Sequence, residues 1–142
     1  KRQVMPFAGD AFAADLKGES ERFRVPCPTH QGVADGMTPG GRSLIRQTDP
    51  RVAVTALKKS DRGDFLVVRR YNQADVEVSE NLHFENPVLD AQKINLLEGP
   101  LLLDRADPAV TSGGLRVVVP LAPCEIATVA IVFEPLAGEE SS

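Results

Sequence analysis

The sequence holds no tryptophan, one tyrosine and six phenylalanines. Sugar-binding sites stack rings on exposed flat aromatics, and most of these phenylalanines fall at alternating, core-facing positions. An independent carbohydrate-binding module is therefore poorly supplied, and stands as the alternative reading. Histidine stops at His30 and His83. Neither has a second His or a Cys at metal-ligand spacing, so both read as surface imidazoles and no metal site is expected. Cys27 and Cys124 are the only cysteines and make no disulfide framework. One bridge or two idle thiols both fit, idle thiols being the ordinary state in a non-secreted chain. Positive charge is also short, with 16 Lys and Arg against 20 Asp and Glu and a net charge of −4. Phosphate binding needs a basic surface, so no nucleic-acid partner is expected. The longest apolar run, Val129 to Phe133, is far short of the ~20 residues that span a bilayer. No secretory segment opens the chain, which points to a cytoplasmic protein, and Lys1 stands where an initiator Met would, so we read a piece of a longer polypeptide.

Catalytic patterns are equally thin. No Gly-x-Ser-x-Gly elbow occurs, and the loop glycines do not follow a strand and open a helix as a phosphate cradle would. Asp61 with Asp64 and Asp104 with Asp107 flank turns, while Glu139 and Glu140 lie in the tail. Glycosidase chemistry holds two carboxylates about 5–10 Å apart across a sugar, whereas turn carboxylates are usually solvated caps. Arg62-Gly63-Asp64 spells an integrin-type tripeptide that turn propensity alone explains.

What is present is a change of texture along the chain. Residues 1–42 read as an extension: a short strand at Val4 to Phe7, a short helix carrying Phe12, Leu16 and Phe23 with Asp10 as its cap, and a Pro/Gly-rich loop over 29–41. Pro26-Cys27-Pro28 ends that helix, because proline lacks the amide hydrogen. From 43 to 136 the period is two. In Arg51 to Leu57, Val52, Val54 and Ala56 face one way and Ala53, Thr55 and Leu57 the other, and Phe65 to Tyr71 returns as the second arm of a hairpin. Val76, Val78, Leu82 and Phe84 then alternate with Glu77, Ser79, Asn81 and His83. Ala91 to Leu97, Leu101 to Leu103, Leu115 to Val119 and Glu125 to Phe133 follow, the last two apolar enough to be covered on both faces. Residues 137–142 read as a frayed tail. The pattern predicts an all-β antiparallel sandwich of about seven strands with a short N-terminal helical extension.

The second half carries more specific text. Ala56-Leu57-Lys58-Lys59, an acidic-Gly turn and Leu66-Val-Val-Arg69-Arg-Tyr71-Asn72 resemble the stretch "alK…g-lvlR-yN" of the C-terminal β-region of glycoside hydrolase family 38, the α-mannosidases. Asn95-Leu96-Leu97-Glu98 resembles "vNLLE", and Pro123-Cys-Glu125-Ile126-Ala-Thr128 resembles "p-EI-T". Upstream, Met5-Pro6-Phe7-Ala8-Gly9-Asp10 is similar to "lPH-GDw", with Phe7 for the usual His and Phe12 near the Trp, and Glu21 to Pro26 is similar to "a-efn-Pl".

The resemblance implies the last part of a multidomain α-mannosidase of the bacterial, mannosylglycerate-hydrolase-like type. Members of that family hold zinc through two His and two carboxylates in an N-terminal α/β domain. They cleave α-mannosides with retention, through an Asp nucleophile and a glycosyl-enzyme intermediate. None of those residues maps here, so the resemblance implies no catalytic residue, no metal ligand and no cofactor in this chain, the zinc belonging to the upstream catalytic domain. That domain becomes the expected partner, with a mannoside substrate at its edge. Arg69, Tyr71 and Asn72 are the candidate site residues. As polar anchors, the guanidinium caps carbonyls and Asn72 bonds its own backbone; as functional residues, they dock the catalytic domain or reach the rim of its sugar cleft.

Overall fold

The period-two stretch after Ser43 folds into eight strands in the computed structural model, which describes residues 2, 4–11, 13–25, 43–102 and 105–135. The strands are β1 (Ile45–Gln47), β2 (Val52–Lys59), β3 (Leu66–Asn72), β4 (Val78–Phe84), β5 (Val88–Ile94), β6 (Ala109–Thr111), β7 (Arg116–Leu121) and β8 (Ile126–Phe133). They form two four-stranded antiparallel sheets, β1-β4-β7-β6 and β2-β3-β8-β5. The expected antiparallel sandwich is borne out, with eight strands in place of about seven. Strands β1 and β6 are three residues each, too short to display a period of two. Val4 to Phe7 and Leu101–Leu102 form no strand; after Gly99, Pro100 makes only an isolated bridge to Ile94.

The core lies between the sheets. Leu82, Phe84, Val117, Val119 and Leu121 from the first meet Val52, Val68, Ala91, Ala127, Val129 and Ile131 from the second. Each fully buried aliphatic side chain there is worth about 1.5–3 kcal/mol over exposure. Central strand β8 is buried over Ala127–Ile131 without a break, as its apolar run predicts. In contrast β7 alternates, since its outward residues Arg116, Val118 and Pro120 are only half-buried. Pro120 is tolerated because β6 ends opposite Val118, and its carbonyl is taken by the Lys93 ammonium at 2.7 Å. Val76 precedes β4 and is exposed rather than core-facing.

Two bulges correct the predicted alternation. Val54 lies opposite Arg70 and Ala56 opposite Arg69, so Thr55 is the extra residue in β2, and Leu57 rather than Ala56 returns to the face of Val52. Leu89 is likewise extra in β5, between Val88 and Asp90. That strand starts at Val88 rather than Ala91, because the Val88 amide is engaged by the Gly114 carbonyl at 2.9 Å. Gly114 sits at φ +85, and a Cβ there would stand 2.8 Å from the Val88 oxygen, so this turn demands glycine.

The chain divides into two compact units, Lys1–Arg42 and Ser43–Ser142. Within the first, the helix α1 (Leu16–Arg24) is capped by Asp15, whose side chain accepts from the Gly18 amide at 3.2 Å. The predicted cap Asp10 lies one turn earlier, where its backbone carbonyl accepts the Ala14 amide at 3.1 Å. The helix stops before Pro26, with Val25 extended as a residue ahead of proline prefers. Met5, Leu16 and Phe23 line a pocket of about 150 Å³ on this unit. Phe12, Cys27, His30, the 29–41 loop, Leu103, Asp104 and the 137–142 tail lie outside the described residues. Among the described residues no helix is long and apolar enough to cross a membrane.

Candidate functional site

Alternation along β3 divides the three candidate residues. Val68 packs in the core between the sheets, so Arg70 and Asn72 face inward, and Val67, Arg69 and Tyr71 face out. Arg69 Nε donates to the Thr128 hydroxyl at 3.2 Å, a side-chain oxygen and not the expected carbonyl. Tyr71 stands between Ala53 and Ile126 on the same outer face. Asn72 is fully buried: its Nδ2 donates to the Val76 and Ala122 carbonyls at 2.8 and 2.9 Å, and its Oδ1 accepts from the Ala74 amide at 3.0 Å.

Beside Thr128 opens a groove of about 500 Å³ between the end of β5, the start of β8 and the chain around Leu101 and Arg105. Its rim is aliphatic, from Leu96, Leu101 and Ile126. Its floor is ionic. Glu125 Oε1 takes the Lys93 ammonium at 3.1 Å and lies 3.7 Å from the Arg105 guanidinium, and Oε2 accepts the Ala122 amide at 2.7 Å. That carboxylate is fully engaged in holding three chain segments together. Cys124 adjoins it at φ 55 with its Sγ toward the Ala74 carbonyl at 3.6 Å.

A second carboxylate organises the loop after β5. Asn95 closes that loop, its Oδ1 accepting the Leu97 and Gly99 amides at 2.8 and 3.1 Å and its Nδ2 donating to the Pro100 carbonyl at 3.0 Å. Glu98, at φ 61, reaches the β2–β3 turn: Oε2 accepts from the Ser60 hydroxyl at 2.6 Å and the Asp61 amide at 2.9 Å, and Oε1 pairs with the Lys58 ammonium at 2.7 Å. The bonds from Lys58, then from Ser60, hold the Glu98 carboxyl down to about 2, below the usual carboxylate range. Strands β2 and β5 are opposite edges of their sheet, so this loop lies across its outer face, where Val67, Ala130 and Ile94 are buried with Phe65 packed on them. Leu96 and Leu97 are left 68% and 72% exposed.

Sequence reasoning passed over the innermost polar pair. Arg70 from the second sheet and Glu80 from the first meet inside the sandwich, 1% and 0% exposed, with Arg70 Nε donating to Glu80 Oε2 at 2.7 Å and Nη2 to Gln47 Oε1 at 2.9 Å. Burial pulls the Arg70 guanidinium down to about 10. The signal was available: Glu80 shares parity with Val78, Leu82 and Phe84, and of two adjacent arginines in a strand one must face the core.

Among the described residues, no three His, Cys, Asp or Glu side chains gather as metal ligands, and His83 lies exposed on β4. The three patterns that carry the resemblance in the second half occupy four stretches of chain, 56–59, 66–72, 95–98 and 123–128, and these converge on one sheet. Lys58 of the first bonds Glu98 of the third, and Arg69 of the second bonds Thr128 of the fourth. A family model described as the glycosyl hydrolases family 38 C-terminal beta sandwich domain matches residues 51–129, which hold all four stretches and more than half of the chain. Met5 to Asp10 and Glu21 to Pro26 fall outside that span. No curated protein matches the chain.

Proposed function

The chain belongs to the C-terminal beta sandwich domains of glycosyl hydrolase family 38, and from that premise we propose that it is the non-catalytic accessory sandwich of a zinc-dependent, retaining α-mannosidase of the bacterial, mannosylglycerate-hydrolase-like type. Its share of the mechanism is mechanical. It packs against an upstream catalytic domain and holds that domain's reacting groups in register, since a displacement of ~1 Å can cost about 10²-fold in rate. Zinc belongs to that upstream domain; the described residues here offer no fitting ligand set. Arg69 and Tyr71 present polar atoms on the outer face toward the partner, and Asn72 anchors the turn behind them.

The observation that carries this reading is the cross-linking of the four family-like stretches on one face, Lys58 to Glu98 and Arg69 to Thr128. Charge and hydrogen bonds there are spent on fixing the surface. The test is removal of residues 1–142 from the intact polypeptide, followed by melting and hydrolysis of a chromogenic α-mannoside. Loss of both thermal stability and turnover is expected. Full turnover without the sandwich, or a saturable heat when the isolated chain is titrated with mannobiose, would replace the accessory role, the latter with an independent carbohydrate-binding module.

A further inference from the structure

The chain carries 20 Asp and Glu and a net charge of −4, yet the strands of the first sheet put no carboxylate on their outer face. Along β4 and β7, Leu82, Val117 and Val119 point into the core, so Asn81, His83, Arg116 and Val118 point out. Ile45 and Val110 pack on that core from β1 and β6, which turns Arg46 and Thr111 outward beside them. The carboxylate within these strands is Glu80, spent inside on Arg70.

Register sets the outward cations in one row. Arg46 lies opposite His83, His83 opposite Arg116, and Arg116 opposite Thr111. Neighbouring strands are about 4.8 Å apart, so Arg46 and Arg116 are rooted roughly 10 Å apart with the imidazole between them. Among the described residues, the exposed side chains of Arg46 and His83 make no hydrogen bond or ion pair. Arg116 uses Nε alone, on the Thr111 hydroxyl at 2.9 Å. The carboxylates at the rim are occupied or distant: Glu85 past β4 has a partner, Asp49 past β1 is held by Arg51, and Glu77 stands at the other end of β4 from His83. Thr111 is on the far side of Arg116 from His83, so its bond draws that guanidinium away from Arg46. The two forks diverge. A single oxyanion is not gripped by both, whereas carboxylates spaced along a chain can take one each. A nucleic acid, charged at every phosphate, would meet two arginines on a chain of −4.

We propose that the outer face of the β1-β4-β7-β6 sheet is a docking surface for an acidic polypeptide segment, which lays separate carboxylates on Arg46 and Arg116 across His83. None of these residues lies in the stretches that carry the family likeness, so this role is additional to the accessory one.

The experiment titrates the 142-residue chain into a labelled oligoglutamate peptide at fixed low ionic strength and reads anisotropy. Saturable binding is expected, falling as salt rises and weakened about 10-fold by Arg46→Glu/Arg116→Glu. Lys59→Glu/Arg62→Glu changes the net charge equally at exposed positions of the other sheet's hairpin, and is expected to bind like wild type. Arg46→Glu alone, at a side chain that holds nothing in the fold, is expected to weaken binding about 3-fold, and decides the matter if the double variant melts early. No saturable binding, or an equal loss in both double variants, overturns the assignment, because only overall charge would then be read. Inorganic phosphate that displaces the peptide at matched charge makes the row a small-oxyanion site and overturns it too. So does tighter binding of a single-stranded oligonucleotide of equal charge. Self-association of the wild type that Arg46→Glu/Arg116→Glu dissolves in sedimentation gives the face to a second copy instead.

Discussion

A guanidinium and a carboxylate inside a sandwich contribute less than an apolar pair of equal volume would, yet deleting one of them strands the other. Arg70 and Glu80 are that case, one from each sheet. Glu80→Ala is expected to cost about 3–5 kcal/mol in urea unfolding. The double replacement Arg70→Met/Glu80→Leu is expected to return to wild-type stability or exceed it by about 1–4 kcal/mol. Equal loss in single and double variants would show that the pair is not the source of the effect. The same strand shows how far single residues were readable. Alternation puts Arg69 and Tyr71 on one face of the strand and Asn72 at the start of a turn, where its amide bridges Val76 and Ala122. That the shared face points outward is fixed only by Val68 packing between the sheets. Arg70 and Glu80 escaped because burying charge looks unfavourable until the partner is known, and that partner sits on the other sheet.

At the scale of elements, the loop after β5 is tied down by an ionised group. Glu98 has a folded pKa of about 2 against an ordinary 4.5, so its contribution to stability is complete above the ordinary value and is lost as pH falls toward the folded one. Melting curves of wild type and Glu98→Gln should differ by a constant gap above about pH 5.5 that shrinks progressively between about pH 4.5 and pH 2. A gap independent of pH across that window would assign the tie to shape and not to charge. Strands β3 and β4 were legible because alternation runs over seven residues in each, and β8 because its apolar run is unbroken. Both bulges were not, since an extra residue in one strand is defined only by the partner that lacks it. Glu98 stood within a recognisable stretch, but its three partners lie 37 to 40 positions back in sequence.

For the whole molecule, every residue of the main core comes from positions between Ile45 and Phe133. A chain cut to residues 43–135 is therefore expected to keep a β-type far-UV spectrum and one cooperative unfolding transition. A gradual, featureless melt would show that the sandwich needs more than its own strands. Sandwich class and family were legible at this scale, from alternation and from the collinear stretches. The division into β1-β4-β7-β6 and β2-β3-β8-β5 was not, because that choice is made by contacts between distant segments. The two irregular strands, β2 and β5, are the two borders of the second sheet. A foreign strand approaching either border meets donors and acceptors thrown out of step by Thr55 or Leu89. This sheet is thereby protected from growing sideways into fibrils, and contacts with neighbours are steered to its broad surfaces.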